Sequence, residues 1–137
     1  MVVGWSMSSR ITSDLVCSAL RMAIAIRLPF ANDLLAHSDQ GSQYASHQHT
    51  KILRAFGISC SMSRKGNCWD NSVVESVFAS LKKDLVHHTV FETRAQAKSK
   101  IFDHIEVFYN KVRTHSTLDY LSPYEFEQAN KIQLIAA

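Results

Sequence analysis

The sequence contains no run that approaches the roughly 20 consecutive apolar residues needed to cross a bilayer, so we expect no membrane partner. Its N-terminus also lacks the charged region, apolar core and small-residue cleavage site of a secretory signal. Apolar residues make up 46% and charged residues 20% of the 137 positions, which is typical of a globular protein. We therefore expect a cytoplasmic protein with a single domain, residues 1–137.

Cysteine is also scarce. The three cysteines, Cys17, Cys60 and Cys68, are an odd and sparse set, which argues against a disulfide framework. His47 and His49 precede two of them, which raises the question of a zinc site. Seven residues separate Cys60 from Cys68, whereas structural zinc sites usually have about two to four between paired ligands, so zinc is disfavoured.

The net charge of +3 is small, but its distribution along the chain is uneven. Residues 51–100 carry nine basic and four acidic side chains, whereas residues 101–137 carry three basic and five acidic ones. The basic middle third could meet the phosphates of a nucleic acid. A solvated basic surface explains the same distribution, and charge alone favours this simpler explanation.

Apolar periodicity and turn signals predict eight elements in the order β-α-β-α-β-α-α-α. The predicted strands are 2–7, 34–37 and 58–63, and the predicted helices start near 12, 43, 71, 93 and 122. The last two helices begin at capping boxes. The inner faces of the first four helices are predicted to comprise Leu15, Val16, Ala19, Leu20 and Ala23; Tyr44, Ile52, Leu53 and Phe56; Val74, Val77, Phe78, Leu81 and Leu85; and Ala97, Ile101, Ile105, Phe108 and Val112. Alternation followed by helices indicates an α/β or α+β domain with a small mixed sheet flanked by helices.

Two acidic residues lie where metal-dependent chemistry is possible. Asp39 follows a predicted buried strand in the stretch HSDQGSQY, and Glu75 lies off the centre of the apolar face of a later helix, beside a polar strip that includes Lys82. Mg²⁺ prefers oxygen ligands and usually takes only one or two protein carboxylates, so convergence of these two acids would form a metal site. The alternatives are that Asp39 caps a turn and that Glu75 is a solvated helix residue.

Three segments carry a more specific signal: HSDQGSQY, ISCSMSRKGNCWDNSVVESVFASLKKDL and FYNKVRTHSTLDYLSPYEFE. Together they closely resemble the second open reading frame of transposases of the insertion-sequence-3 family, which have a retroviral-integrase-like core with an Asp, Asp, Glu triad. The resemblance covers nearly the whole chain. It implies an RNase H-like fold and metal-dependent DNA cleavage and strand transfer, with Mg²⁺ or Mn²⁺ as cofactor and DNA as partner.

The resemblance also implies roles for particular residues. Asp39 and Glu75 match the second and third metal-binding carboxylates, with the 35-residue spacing of the family. The candidates for DNA contact are Arg64, Lys65, Lys82, Lys83, Arg113 and His115. Solvation explains Arg64 and Lys82 equally well. Tyr109 and Asn110 belong to the family's Y-N-x-x-R-x-H signature and are better explained by hydrogen bonds that tie the last helices to the sheet.

The first carboxylate of the triad has no match in this chain, because Met1 aligns with the third strand of the family fold. We therefore expect a partial RNase H-like fold without its first two strands, with strand edges open to pairing. The resulting hypothesis is an N-terminally truncated catalytic core that is inactive alone. The alternative function is a non-catalytic module that binds DNA, or that associates with intact transposase and inhibits it, and a third possibility is a poorly folding remnant. The expected protein partner is a second copy of the chain, in a homo-oligomer, or an intact transposase.

Overall fold

The computed structural model describes residues 1–27, 34–64 and 71–136, with side chains up to residue 130. In chain order the elements are α1 (Ser13–Arg27), β1 (Leu35–Ser38), α2 (His47–Ala55), β2 (Ser59–Met62), α3 (Ser72–Asp84), α4 (Arg94–Asp103), a π-helix (His104–Val112) and α5 (Pro123–Ala136), with short 3₁₀ turns at Val86–His88 and Ser116–Leu118. None of the described helices is both long and apolar enough to cross a membrane.

The chain divides into two compact units. One unit comprises Val3–Val77, and the other comprises Met1–Val2 together with Phe78–Ala137. The first contains the sheet and the second contains the π-helix. The organisation of residues 1–137 as one domain stays a prediction.

The sheet of the first unit consists of two parallel strands. β1 pairs with β2 in a register that places Leu35 opposite Ser59 and Ser38 opposite Met62. Helix α2 forms the crossover that a parallel pair requires. Ala36 packs against the core, whereas Leu35 points to the other face and is 59% exposed. The prediction that β1 is buried is therefore wrong, because the described residues cover only one face of the strand.

The core of the first unit forms where α1, α2 and the start of β2 meet. Ile24, Leu53 and Ile58 are buried there, and Leu20 and Ile52 pack against them. The predicted inward positions of Leu20, Ile52 and Leu53 are thus confirmed. Burial of these aliphatic side chains is the main stabilising contribution available to so small a unit, at roughly 25 cal/mol per Å² of apolar surface.

Helix α2 is shorter than predicted at its start. Ser46 caps it, because the Ser46 hydroxyl accepts a hydrogen bond from the backbone N–H of His49 at 3.3 Å. Gly57 follows the helix with a φ of 63°, a conformation that favours glycine, so the predicted stop is confirmed. Phe56 is 47% exposed, so its predicted inward position is wrong. It lies at the C-cap, where the backbone has already left helical geometry.

The predicted strand from Val2 to Met7 does not form. Instead, Gly4 lies so close to α1 that an added Cβ would be 2.8 Å from the Cβ of Ala23 and would collide with the carbonyl oxygen of Ala19. A strand needs a neighbour to satisfy its backbone groups. In residues 1–27 and the other described ranges, no strand lies beside this segment.

The apolar faces predicted for α3 and β2 are only partly covered. Val74 and Phe78 on α3 are 57% and 56% exposed, and Cys60 and Met62 on β2 are also exposed. The inward positions predicted for Val74 and Phe78 are therefore wrong. The alternation of Ile58, Cys60 and Met62 with serines in the predicted strand 58–63 favours a half-buried strand, but Cys60 and Met62 do not face inward. Periodicity identifies an apolar face but not the group that would cover it.

Helix α4 begins as predicted and then changes its geometry. Thr93 caps it by accepting a hydrogen bond from the Gln96 N–H at 3.1 Å. From His104 onward it is a π-helix, in which the Arg113 N–H donates to the carbonyl oxygen of Phe108, five residues earlier, at 2.7 Å. The wider turn changes which side chains face inward. Tyr109 is buried, whereas Phe108 and Val112, which were predicted to face inward, are exposed.

The capping box predicted at the start of α5 is confirmed. A Glu125 carboxylate oxygen accepts hydrogen bonds from both the backbone N–H and the hydroxyl of Ser122, each at 2.8 Å. In return, the Glu125 N–H donates to the Ser122 hydroxyl at 3.3 Å. These bonds stabilise the charged carboxylate and lower the pKa of Glu125.

Candidate active site

Asp39 immediately follows β1, and its carboxylate is exposed. Its Oδ1 accepts a hydrogen bond from the Gly41 N–H at 2.9 Å, which closes a tight turn. A Cβ at position 41 would lie 2.8 Å from the same oxygen, so a larger residue there would displace the Asp39 carboxylate. Asp39 therefore does cap a turn. A carboxylate has about four lone-pair sites, so this role leaves room for another ligand.

Ser63 connects both sequence neighbours of Asp39 to the start of α3. Ser63 is 5% exposed, and its N–H donates to the carbonyl oxygen of Ser38 at 2.8 Å. Its own carbonyl oxygen accepts from the Gln40 side-chain amide at 3.1 Å. Its hydroxyl accepts from the Asn71 side-chain amide at 3.4 Å, a long hydrogen bond. One buried residue thus contacts the chain before Asp39, the chain after it, and the residue that precedes α3.

Glu75 lies in the first turn of α3 and is exposed. A carboxylate is favoured at this end of a helix because the free N–H groups there carry partial positive charge. Glu75 comes four residues after Asn71, so the two side chains project from neighbouring positions on one face. Glu75 therefore lies on the side of α3 that continues from Asn71, the residue that contacts Ser63.

The candidate metal ligands in this region are the carboxylate oxygens of Asp39 and Glu75. Asp39 and Glu75 supply exposed carboxylates, which are the ligands that Mg²⁺ prefers, at about one or two per ion. Within the described ranges, no group of three or more His, Cys, Asp or Glu side chains is placed to hold a metal ion. Asp39 and Glu75 are therefore ligands of the kind that Mg²⁺ takes, and their binding to one shared ion stays a prediction.

The sequence indicates the two acids as candidate site residues but gives no comparable indication for Ser63 and Gln40. The one available signal for Ser63 was the alternation of serines with apolar residues in ISCSMS. That alternation favours a half-buried strand with the serines on its polar face, whereas Ser63 is buried and lies just beyond β2. Gln40 gave no signal, because its partner is 23 residues away in sequence.

The basic residues predicted to contact DNA lie in several places. Lys82 and Lys83 are exposed in the last turn of α3, and Lys82 comes two helical turns after Glu75. Arg64 is exposed and follows Ser63 directly. Lys65 lies outside the described residues. DNA contact by these four residues stays a prediction.

Arg113 and His115 lie in a side-chain cluster of the second unit. Arg113 Nε is 3.5 Å from an Asp84 carboxylate oxygen, and one of its terminal nitrogens is 3.2 Å from His115 Nδ1. The His115 ring packs edge-on against Tyr109, with centroids 5.1 Å apart. The same Asp84 oxygen accepts from the Ser80 hydroxyl at 2.7 Å, and this bond is the main reason that the pKa of Asp84 is lowered. DNA contact by Arg113 or His115, which stays a prediction, would compete with these interactions.

Asn110 holds the N-terminus against the π-helix. It is 2% exposed, its side-chain oxygen accepts from the Val2 N–H at 2.8 Å, and its amide donates to the Val2 carbonyl at 2.8 Å. This pair of bonds satisfies the backbone as a neighbouring strand would. The predicted hydrogen-bonding role of Asn110 is therefore what the structure shows, but its partner is the N-terminal segment rather than the sheet.

Two histidines of the second unit should make its stability depend on pH. Burial lowers the pKa of His104 below its ordinary value of 6.5; Asp84 opposes this effect, and Arg113 adds to it. Burial, Arg113 and the N-terminal charge lower the pKa of His115. Below pH 6.5 the unfolded chain therefore binds more protons than the folded chain, and stability should fall as the pH drops through that value.

Urea unfolding at about pH 7.5 and about pH 5.5 measures this effect, and we expect the lower free energy of unfolding at the lower pH. Replacing both histidines with glutamine should flatten the dependence. Asp84 does not interfere, because its lowered pKa removes stability only at pH values below its ordinary 3.8. Equal stability of the parent chain at both pH values would contradict the prediction.

Comparison with known proteins adds a family context to this geometry. Two family models, both described as an integrase core domain, match residues 1–68 and residues 75–130. Over 129 residues the chain is 47% identical to the transposase for insertion sequence element IS904 of Lactococcus lactis, covering 94% of this chain and 51% of that protein. It is 43% identical to transposase InsF for insertion sequence IS3A of Escherichia coli K12, covering 94% and 44%. The chain thus spans about half the length of these curated relatives.

A solved structure gives the same indication for the fold. The chain resembles a protein in the cryoEM structure of a simian T-cell lymphotropic virus intasome in complex with PP2A regulatory subunit B56 gamma. The TM-score is 0.59 at 19% sequence identity, and the match covers 79% of this chain and 37% of that one. A likeness at this identity concerns the fold alone. With the family models, it confirms the predicted partial RNase H-like fold of the α/β (α+β) class.

Proposed function

Because the chain belongs to the insertion-sequence-3 family of transposases, we propose that it forms part of a catalytic core for metal-dependent cleavage and strand transfer of DNA. The observation that carries this proposal is the placement of Asp39: an exposed carboxylate directly after a strand, in a turn that fixes its orientation. The substrates are the DNA ends of an insertion element and a target duplex. The site of action is the cytoplasm of a bacterial cell.

In this proposal Asp39 and Glu75 hold one divalent cation, Mg²⁺ or Mn²⁺. When bound, such an ion stabilises negative charge on the phosphodiester oxygens. The N–H of Gly41 keeps the Asp39 carboxylate in one orientation, and the exposure of both acids leaves them accessible to a DNA phosphate. Arg64, Lys65, Lys82 and Lys83 would contact the DNA backbone, which positions a duplex without reading its sequence.

The first carboxylate implied by the family resemblance is not among these 137 residues. We propose that a polypeptide of only these residues binds a metal ion weakly and does not transfer strands by itself. The remaining ligand would come from additional sequence or from another transposase molecule. Association with a second copy or with an intact transposase is therefore part of this proposal.

The alternative function is a DNA-binding or transposase-inhibiting module without catalysis. The exposed pair Lys82 and Lys83 at the end of α3 favours it, because adjacent lysines attract phosphates whether or not a metal is bound nearby. This alternative requires no metal. Metal binding by the two acids therefore separates the two proposals.

We expect the 137-residue chain to bind Mn²⁺ saturably, and Asp39→Asn to weaken that affinity by more than about tenfold, because the substitution removes a charged ligand. Asparagine keeps an oxygen that can accept from the Gly41 N–H, so the turn should persist. Electron paramagnetic resonance of free Mn²⁺ measures the affinity. Asp14→Asn, at an exposed position on α1, is the charge-matched control. Equal affinity of the Asp39→Asn and parent chains would overturn the catalytic proposal.

A further inference from the structure

We infer that Ser63 is a positioning residue that couples Asp39 to helix α3 and thereby to Glu75, an inference that rests on the proposed function of these two acids. The neighbours of Asp39 on both sides, Ser38 and Gln40, hydrogen-bond to Ser63. Asn71, at the start of α3, contacts the Ser63 hydroxyl. Ser63 is thus a junction between the two segments of chain that carry the acids.

Because Ser63 is buried, its hydrogen bonds hold β1 and the start of α3 in one relative position. A buried polar group that loses its partner is left without water to replace it, so buried donors and acceptors hold their partners in place. The N–H, carbonyl oxygen and hydroxyl of Ser63 all have partners. Movement of β1 relative to the start of α3 would break at least one of these bonds.

The three bonds make different demands on the side chain at position 63. The backbone bonds to Ser38 and Gln40 form with any residue that keeps the local geometry. Only the bond with Asn71 requires the hydroxyl. The Ser63 side chain therefore serves to connect α3, and removing it should leave the Asp39 turn intact while α3 loses its tie to that turn.

The size of the effect follows from one long hydrogen bond. A net contribution of about 0.5–1.5 kcal/mol corresponds to roughly a two- to tenfold change in an equilibrium constant. We expect Ser63→Ala to weaken Mn²⁺ binding by this factor. Asn71→Ala should have the same effect, because it removes the other partner of the same bond.

The experiment measures Mn²⁺ affinity by electron paramagnetic resonance, together with the melting temperature without metal, for the parent 137-residue chain and its variants. Both single variants should weaken Mn²⁺ binding about two- to tenfold, and the double variant should weaken it no further. Ser63→Thr keeps the hydroxyl and should restore affinity. Ser59→Ala, at an exposed position on β2, is the matched control and should change nothing.

Several outcomes overturn the inference. Parent-like Mn²⁺ affinity in Ser63→Ala would do so, even with a lower melting temperature, because the role would then be only structural. Additive losses in the double variant would also do so. If Ser63→Ala fails to fold, Asn71→Ala decides alone, because it leaves the buried residue in place. The Asp39→Asn comparison reports separately on the proposed function: retained Mn²⁺ binding in that variant overturns the metal site itself, whatever the result at position 63.

Discussion

Glu75→Gln should abolish strand transfer by a completed catalytic core while leaving DNA binding nearly unchanged. Glutamine has almost the same shape as glutamate but cannot supply the negative charge that a divalent cation requires. Loss of a direct metal ligand should cost more than the roughly 10- to 100-fold typical of losing an outer-shell partner. A core can be completed by joining the upstream part of the IS904 transposase, which is 47% identical over the shared region, to these 137 residues.

Strand-transfer product formed with Mn²⁺ measures activity, and salt-dependent DNA affinity measures binding in the same samples. Glu92→Gln, at an exposed position before α4, is the matched control and should keep full activity. The 137-residue chain alone should give no product. Product from that chain by itself, or more than a tenth of parent activity in the Glu75→Gln chimera, would contradict the proposal. A large fall in DNA affinity for Glu75→Gln would instead assign Glu75 to the DNA contact surface.

Asn110→Ala should destabilise the second unit by about 2–3 kcal/mol, the largest stability change that we expect from a single polar side chain here. Alanine removes two hydrogen bonds of 2.8 Å and leaves the N–H and carbonyl of Val2 without their partners. It also opens a cavity, because Asn110 is almost fully buried. Urea unfolding of the 137-residue chain measures the change.

Asn130→Ala provides the comparison for this effect. The Asn130 amide also makes a 2.8 Å hydrogen bond, to the carbonyl oxygen of Phe126, but on an exposed surface. Its loss should change stability by less than about 0.5 kcal/mol. Similar effects of the two substitutions would show that burial of Asn110 does not strengthen its contribution.

The features that sequence predicted well depend on residues only a few positions apart. The caps at Thr93 and Ser122 and the stop at Gly57 are local, and the structure has all three. The features that failed depend on distant groups. The segment 2–7 has β-propensity, but among residues 1–27, 34–64 and 71–136 no strand lies beside it. The apolar pattern of α3 predicts a buried face but does not identify the groups that would cover it. The π-helix was also missed, because an apolar spacing of about 3.6 residues predicts an ordinary α-helix and does not show where the helix widens.

The candidate site also combines features with a local sequence signal and features that depend on distant residues. Asp39 and Glu75 could be located because each follows a recognisable local signal, the end of a strand and the start of a helix. Their link through Ser63 could not, because it depends on the register in which Ser38 meets Met62. Parallel register is set by tertiary packing, which a single sequence does not display.

The π-helix makes residues 104–112 more sensitive to length than to composition. Deletion of one codon before residue 110 that left the helical geometry unchanged would move every later residue back by one helical position, a rotation of roughly 100° about the helix axis. Asn110 would then turn away from Val2, and Arg113 away from Asp84, although hardly any side chain had been lost. Functional variants of this segment should therefore differ from it by replacement of residues and keep its length. A frame-preserving gain or loss of a single codon should be among the most damaging changes that the gene can undergo.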